Sequence, residues 1–200
     1  MMEPVMIEDL ILKNRSTRRF AENCDIKTKT LEHLVNLARL SASGANLQPL
    51  KYVISNNRQK NNHIFETLKW AGYLQNWPGP KPQRRPAGYI IICCDTTIVK
   101  NADNCKHDQG IAAAYITLGA AEKQLASCII GNINRKKLQE ILSLSDRYEI
   151  ALVIALGKSG ENISIEEVDD NESVKYYRDD NNIHHVPKRR LNNIIIAEYS

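Results

Sequence analysis

The sequence predicts a layered α+β or α/β domain, because helix-like and strand-like segments alternate along it. Three segments support this most clearly: the apolar strands YIIICCD (89–95) and YEIALVIALG (148–157), and the Ala-rich helix over residues 108–125. The composition, with 42% hydrophobic and 25% charged residues, is that of an ordinary globular protein. Two hundred residues are enough for one domain, or for one domain with an appendage.

The other regular elements follow from hydrophobic periodicity and capping residues. A helix over residues 5–13 comes first, and Thr28 or Thr30 begins a second that runs to Leu40. The remaining predicted elements are a strand at 50–55, a polar-faced helix at 57–69, a short strand at 126–130 and a helix capped by Asn134. Asp108 suits the N-terminus of the Ala-rich helix, whose small side chains allow another helix to approach closely. Strand 148–157 is the most apolar, so we expect it to be central.

The segment QNWPGPKPQRRPAG interrupts these elements with four prolines and two glycines. Because it lies between regular elements, it is expected to be an ordered loop or lid over residues 70–88. The forty-odd residues after the last strand are polar and irregular, and they hold too few apolar side chains to fold alone. We therefore expect this tail to dock on another surface.

Several classes of protein are excluded or disfavoured. Five cysteines without a C-x-x-C pair indicate free thiols in a reducing compartment. No apolar run approaches the roughly 20 residues that cross a bilayer, and the first residues do not have the pattern of a secretion signal. A cytoplasmic location is the expectation. The Cys105, His107, Asp108 group has no second ligand cluster, so no metal is expected.

Neither G-x-G-x-x-G nor the P-loop pattern occurs, so side chains would have to hold any phosphate. Two basic segments could do so, because arginine forks match phosphate oxygens and a serine hydroxyl adds a neutral donor. The first contains Arg15, Ser16, Arg18 and Arg19, and the second contains Lys188, Arg189 and Arg190. The alternative is that both segments are ordinary solvated charge, which the net charge of +4 does not decide.

The segment SASGANLQP (41–49) combines small residues with two carboxamides, Asn46 and Gln48. Small residues let the backbone approach a flat ring closely, and a carboxamide offers a donor and an acceptor together. These amides could satisfy an edge of alternating C=O and N–H groups, such as that of a pyrimidine. The alternative is a helix C-cap in which the amides fasten a turn.

Five motifs in order, RSTRRF, SASGANLQP, DQGIAAAYITLGAAEKQL, IIGNI and the basic C-terminal stretch, resemble the nitroreductase family of FMN-dependent oxidoreductases. The resemblance covers residues 10–196, and WAGYLQNWPGP with YYRDDNNIHHVPKRRLNNIII is similar to a short subfamily whose substrates are unassigned. It implies an α+β fold with three α/β/α layers and a mixed, mainly antiparallel central sheet. It also implies one FMN-binding domain over residues 1–200, a lid-like loop at 70–88, and a tail at 170–200 that docks on the partner of an interlocked homodimer.

The resemblance also implies which residues bind FMN at the subunit interface. Those expected on the phosphate, ribityl chain and pyrimidine are Arg15, Ser16 and Arg18. Lys188 and Arg189 are expected on the phosphate, with Arg190 as a third basic residue there. Those expected around the ring and ribityl groups are Ser43, Asn46, Gln48, Ile130 and Gly131. The sequence has Asn14 where many relatives carry a further arginine. One phosphate contact of the family is therefore expected to be missing, with Arg190 or Arg19 as the cation that compensates.

The implied activity is transfer of hydride from NADH or NADPH to flavin N5, and of electrons onward to a nitroaromatic, a quinone or another small acceptor. The flavin carries this chemistry, so no catalytic side chain is expected, and Arg18 is the candidate cation near N1 and O2. Trp70, Tyr73 and Trp77 are expected to line the substrate pocket, or else to pack under the loop.

The sequence leaves two other functions open. One is an FMN-binding sensor, carrier or flavin-modifying protein without NAD(P)H turnover. The other is an RNA-binding module using Arg84, Arg85 and the Lys188–Arg190 segment, which lacks interleaved aromatic residues and any recognised RNA motif.

Overall fold

The computed structural model describes residues 6–74 and 77–199. Within them lie five α-helices and seven strands. The helices are α1 (Ile7–Lys13), α2 (Thr28–Arg39), α3 (Arg58–Phe65), α4 (Lys106–Glu122) and α5 (Arg135–Leu142). The strands are β1 (Leu50–Ser55), β2 (Gly88–Asp95), β3 (Ala126–Ile130), β4 (Tyr148–Gly157), β5 (Ile163–Val168), β6 (Tyr177–Arg178) and β7 (His184–Arg189). The loop between α3 and β2, predicted as a lid over 70–88, lies partly outside the described residues; its described part contains one short 3₁₀ turn, Pro82–Arg84.

The central sheet has the strand order β1-β2-β4-β3, and all three of its pairings are antiparallel. Strands β2 and β4 occupy its middle, so the expectation that residues 148–157 are central is confirmed. Strand β3 pairs with Val153–Gly157 of β4 and no farther along that strand, because the chain turns away after Ile130.

Helices cover both faces of this sheet and give three layers. Along β2 the side chains alternate: Tyr89 and Ile91 face α3 and α5, while Ile90 and Ile92 face α2 and α4. All eight residues of β2 are buried, as expected for a strand with helices on both sides. Each fully buried isoleucine contributes roughly 1.5–3 kcal/mol through removal of apolar surface from water.

The small residues of α4 allow α2 to pack closely against it, as the sequence predicts. At Gly119 a Cβ would collide with the side chains of Leu37 and Leu34 on α2. Ala112, Ala113 and Ala120 are fully buried in the same contact. The two helices therefore approach more closely than they could with larger side chains between them.

Several boundaries differ from the sequence prediction. Helix α4 begins at Lys106 rather than Asp108, and α2 begins at Thr28 with Lys27 as its N-cap, so neither threonine caps it. Asn134 does cap α5, accepting a hydrogen bond from Lys137 N at 3.1 Å. Helix α3 ends at Phe65, four residues before the predicted end.

The tail contains a second sheet that the sequence did not reveal. Its strand order is β5-β7-β6, with β5 and β7 parallel and β6 and β7 antiparallel. The strands are short and polar, so their periodicity carries little signal. Side-chain ion pairs help to hold them, since His185 contacts Glu166 through Nδ1 and lies 3.3 Å from Asp179 through Nε2.

We predict that Asp95→Asn lowers stability at neutral pH and flattens its acid dependence. Asp95 is fully buried, and hydrogen bonds from Arg147, at 2.8 and 2.6 Å, hold the pKa of this carboxyl well below its usual range. Because the folded-state pKa is depressed, the stabilisation is present above the unfolded value of about 3.9 and is lost as pH falls below it. Urea unfolding between neutral and acid pH measures this slope, and the exposed Asp103→Asn is the matched control. An unchanged slope in Asp95→Asn would contradict the assignment.

Candidate functional site

The basic N-terminal segment is an extended stretch held on both sides by backbone hydrogen bonds. Thr17 N donates to Ser127 O on β3 at 2.8 Å, and Phe20 N donates to Arg84 O at 2.9 Å. Gly160 N donates to Arg19 O at 2.8 Å. The segment therefore lies between β3 and the start of the tail, with its position fixed by main-chain contacts.

The Glu161 carboxylate fastens this segment to the tail. Its Oε1 accepts hydrogen bonds from Arg18 N at 2.5 Å and Arg19 N at 3.2 Å, and its Oε2 accepts one from Arg178 Nη2 at 2.5 Å. The Glu161 and Arg178 side chains are only 1% and 10% exposed. A buried ion pair with further hydrogen bonds to the carboxylate has the geometry that offsets the cost of desolvation.

Arg18 joins the N-terminal segment to β7. Its Nη1 lies 2.9 Å from His184 Nε2 and donates to Ser16 O at 3.2 Å, while its guanidinium lies 4.3 Å from the centre of the Tyr176 ring. Burial, followed by the charge of Arg18, lowers the pKa of His184 to about 4. His184 is therefore neutral at pH 7, and its Nε2 accepts the hydrogen bond from Arg18.

Arg15 and Ser16 stand beside this junction. Arg15 Nη2 donates to Ile11 O at 2.7 Å, but its buried Nε has no partner in the part of the chain that the structure describes. Burial lowers the pKa of Arg15 from its ordinary value. Ser16 is exposed. Asn14 donates to Thr117 Oγ1 at 2.9 Å, so it serves the contact with α4.

The second basic segment follows His184 along β7 and just beyond it. Arg189 pairs with Asp170 at 3.0 Å, and Arg190 lies 3.6 Å from Asp169. Lys188 is exposed and has no ion pair with any residue in 6–74 or 77–199. At about 3.3 Å per residue, Lys188 lies roughly 13 Å along the strand from His184. Lys188 is thus the cation of β7 most available to an external anion.

The Ser43–Gln48 turn is held by the N-terminal end of α4. Ser43 Oγ donates to Asp108 Oδ2 at 2.5 Å, and Gly44 N donates to Asp108 Oδ1 at 3.1 Å. Asn46 and Gln48 are exposed with positive φ values of 54° and 52°. Gln48 Nε2 donates to Asn46 Oδ1 at 3.1 Å. The amides thus pair with each other and present their remaining groups to solvent.

Ile130 and Gly131 lie at the end of β3, where the chain leaves the sheet. Ile130 is buried and Gly131 is exposed. Arg135 fastens this bend: its Nη2 donates to Gly131 O at 3.2 Å, and its Nε donates to Ile150 O at 2.9 Å. The nearest atom to a Cβ built at Gly131 is 3.7 Å away, so a side chain here would not collide with this chain. A requirement for glycine at this position would have to come from a bound ligand.

The three aromatic residues of the 70–88 loop have different surroundings. Trp70 is 8% exposed and stacks on Phe65, with its Nε1 buried and without a partner among the described residues. Tyr73 is 57% exposed and lies 5.0 Å from Tyr176 between ring centres. Trp77 is half-buried against the core. Tyr73 and Trp77 reach the surface beside the tail, whereas Trp70 is a packing residue in this chain.

The structure therefore brings some predicted residues together and separates others. Arg18 contacts His184 of the tail, and Arg15 and Ser16 precede it in the same segment. That Arg15, Ser16 and Arg18 converge with Lys188 and Arg189 on one phosphate stays a prediction. The Ser43 turn contacts Asp108, while Asn14 contacts Thr117 nine residues farther along α4, a rise of about 14 Å. Within one chain, the two predicted halves of the site lie toward opposite ends of this helix.

Glu161 and Tyr176 are the residues of this region that the sequence analysis missed. A single glutamate in a polar stretch and one tyrosine in YYRDD have no motif that marks them. In the described part of the chain, no cluster of three or more His, Cys, Asp or Glu side chains is arranged to hold a metal. None of the helices found there has both the length and the apolar character needed to cross a bilayer.

Comparison with known proteins agrees with the geometry. The family model described as "Nitroreductase family" matches residues 11–83 and 99–158, about two thirds of the chain. This chain belongs to the nitroreductase family. The matched residues include both halves of the candidate site except the basic tail. The resemblance inferred from the five motifs is confirmed.

Relatives of this nitroreductase-family chain share little sequence but most of its length. The oxygen-insensitive NADPH nitroreductase of Helicobacter acinonychis (strain Sheeba) is 26% identical over 182 residues, covering 76% of this chain and 86% of the relative. An FMN-dependent nitroreductase from Clostridium difficile R20291 aligns in structure with a TM-score of 0.62 and 24% identity, covering 76% of this chain and 87% of that one. A nitroreductase family protein from Clostridium novyi NT gives a TM-score of 0.64 at 17% identity, over 92% and 95% of the two chains. The last two show that the fold is shared.

Proposed function

We propose that this chain is an FMN-dependent oxidoreductase that takes hydride from NADH or NADPH and reduces a nitroaromatic, a quinone or another small acceptor. The observation that carries the proposal is the junction of Arg18 with His184, 2.9 Å apart. It joins the basic N-terminal segment to β7, the strand that carries Lys188. The names of relatives, an NADPH nitroreductase and an FMN-dependent nitroreductase, support the same cofactors.

The residues present fit a flavin mononucleotide. Arg15 Nε and the Lys188 ammonium lack partners within residues 6–74 and 77–199, and both suit a phosphate. Ser16 adds an exposed hydroxyl next to Arg15 in the chain. Arg18 uses only its Nη1 in hydrogen bonds among the described residues, so its other donors remain for carbonyl oxygens such as those of a pyrimidine edge. The exposed Gly131 backbone offers a flat surface without a side chain.

When bound, FMN supplies the hydride acceptor and the electron transfer, and the protein orients it. In this proposal Arg15, Ser16 and Lys188 hold the phosphate end. Arg189 and Arg190 either leave their partners Asp170 and Asp169 to join the phosphate, or stay paired and add positive charge nearby. Arg18, fixed by His184 and Tyr176, presents a positive charge to the pyrimidine end. Tyr73 and Trp77 limit access from the loop, and the buried Trp70 supports that loop from below.

A homodimer would complete the site. Helix α4 exposes an apolar stripe at helical spacing, formed by Gly110, Ile111, Ala114, Tyr115 and Leu118, the last of them partly. If two copies of α4 pair in opposite directions, the partner's Ser43 turn comes beside Arg15 and Arg18 of this chain. The tail adds apolar side chains that could cover the second copy: Leu191, Ile194, Ile195 and Ile196 are 52–99% exposed.

We predict that Tyr115→Glu disrupts this dimer. Tyr115 is 48% exposed at the middle of the stripe, so an interface would bury a new carboxylate against apolar surface, which is strongly unfavourable. Light scattering after gel filtration should give the mass of two chains for the native protein and of one chain for the variant. Lys123→Gln, at the end of the same helix, should leave the native mass. A native mass near one chain at micromolar concentration would refute the dimer.

Anaerobic reduction tests the function. The purified protein should be yellow, and NADH or NADPH should bleach the visible flavin band in the absence of oxygen. A nitroaromatic or quinone should then restore the band. Bound flavin that neither nucleotide bleaches would refute the oxidoreductase and indicate the sensor or carrier instead.

A further inference from the structure

A polar cavity of about 780 Å³ lies beside the Glu161 junction, and Arg15 is not among the residues that line it. We call it the Trp77 pocket. Its wall includes three cations, Arg19, Lys81 and Arg84, in addition to the Trp77 ring. None of the three forms an ion pair with a residue that the structure describes.

The one carboxylate on the wall of the Trp77 pocket does not neutralise these cations. It belongs to Glu161, whose two oxygens are taken by the backbone N–H groups of Arg18 and Arg19 and by the Arg178 guanidinium. Arg178 offsets the charge of Glu161. The pocket therefore keeps an excess of about three positive charges in a concave space, where low-dielectric walls strengthen the field.

Arg19 has other cations near it. Burial lowers its pKa, and the neighbouring Arg178 and Arg84 charges add to the effect, partly opposed by Glu161. Arg19 makes one side-chain hydrogen bond, from Nη1 to Asn182 Oδ1 at 3.2 Å. Bringing like charges together is unfavourable unless an anion binds among them, and the planar guanidinium matches phosphate oxygens best.

Trp77 gives the pocket a second recognition element. The centre of its ring lies 6.0 Å from Arg19 Cζ and 5.6 Å from Arg178 Cζ. An aromatic ring next to cations is a surface on which a nucleic-acid base stacks, a contact worth about 1–3 kcal/mol per base. The carboxamides of Asn162, Asn181 and Asn182 complete the wall, and each supplies a donor and an acceptor for the edge of a base.

We propose that the Trp77 pocket binds a nucleotide through a phosphomonoester, which Arg19, Lys81 and Arg84 hold while the base stacks on Trp77. Two sources share this chemistry. One is the 2′-phosphate of NADPH, which would make this pocket the determinant of NADPH over NADH and rests on the proposed function. The other is a free mononucleotide, and binding of that ligand does not depend on the proposed function.

Binding can be measured without turnover, on the full-length protein as purified with its flavin. The probes are 2′,5′-ADP, 5′-AMP and inorganic phosphate, followed by titration calorimetry at constant ionic strength and by tryptophan fluorescence. The chain has two tryptophans, and Trp70 is buried, so quenching that disappears in Trp77→Phe reports on this pocket. We expect both nucleotides, or 2′,5′-ADP alone, to bind at least tenfold more tightly than phosphate and to quench Trp77.

Substitutions separate the pocket from general surface charge. Lys81→Gln and Arg84→Gln should each weaken nucleotide binding by about tenfold, in the range of a charged hydrogen bond, whereas the exposed Lys100→Gln should leave it within twofold. Tenfold tighter binding of 2′,5′-ADP than of 5′-AMP, together with a loss of NADPH preference in Arg84→Gln, would support the NADPH source. Equal binding of the two nucleotides would support a free mononucleotide.

Two results would overturn the proposal. One is binding of nucleotides no tighter than that of phosphate, and the other is native affinity in the Lys81→Gln, Arg84→Gln double variant. Either result would leave the proposed oxidoreductase intact if NAD(P)H still bleaches the flavin. If NAD(P)H does not bleach the flavin but the nucleotide probes still bind, the oxidoreductase is refuted and the nucleotide-binding pocket is supported.

Discussion

Replacing Arg15 and Lys188 together by alanine is expected to release FMN while the protein stays folded. In the proposed site both side chains donate charged hydrogen bonds to the phosphate, each worth about 1.5–3 kcal/mol. Their joint loss should raise the FMN dissociation constant by about a hundredfold or more. The protein should purify nearly colourless, and fluorescence titration with FMN measures the change in affinity.

Neither side chain is needed to hold the chain together. Lys188 is exposed, and Arg15 makes its one side-chain hydrogen bond within its own segment, to Ile11 O. The flavin-free variant should therefore unfold in urea within about 1 kcal/mol of the flavin-free native protein. Arg39→Ala, an exposed arginine on α2, is the matched control and should keep its colour. Full retention of FMN in the double variant would count against the phosphate contacts.

The central fold was predictable because burial leaves a strong mark on composition. Strand β2 is apolar at nearly every position because helices cover both of its faces, and α4 is rich in Ala and Gly because α2 packs against it. The second sheet was not predictable. Its strands β5 and β7 carry charged residues at positions that ion pairs satisfy, such as Glu166 with His185, and periodicity records apolar burial rather than ion pairing.

In the candidate site, too, some residues were predictable from the sequence and others were not. The arginines and the serine of RSTRRF indicate a phosphate contact directly, and a turn of small residues with two amides indicates contact with a flat ring. The residues that position these side chains carry no such signal in the sequence. Glu161 acts through backbone N–H groups of Arg18 and Arg19, which any two residues would supply. Asp108 lies in the first turn of α4, as predicted, but its contact with Ser43 and Gly44, across 64 residues or more of sequence, was not predictable.

Glu161→Ala should be the most destabilising single substitution in this region. It removes the anion from a buried Arg178 guanidinium and leaves two backbone N–H groups without their acceptor. Breaking a buried ion pair by removing one partner costs about 3–5 kcal/mol. This is a large part of the 5–15 kcal/mol that typically holds a domain folded. Urea unfolding of the flavin-free protein measures the loss directly.

Two further variants make this test independent of whether Glu161→Ala folds. Glu161→Gln keeps an oxygen for the N–H groups of Arg18 and Arg19 but loses the charge, so it should lose less stability than alanine does. Glu167→Ala removes a carboxylate that is 74% exposed and 4.0 Å from Arg190, and it should change stability by less than about 1 kcal/mol. If the charge of Glu161 fastens the basic segment to the tail, Glu161→Gln must also weaken FMN binding, because the amide no longer pairs with Arg178 and the junction that positions Arg18 is loosened. Native stability together with native FMN affinity in Glu161→Gln would show that the junction does not depend on this charge.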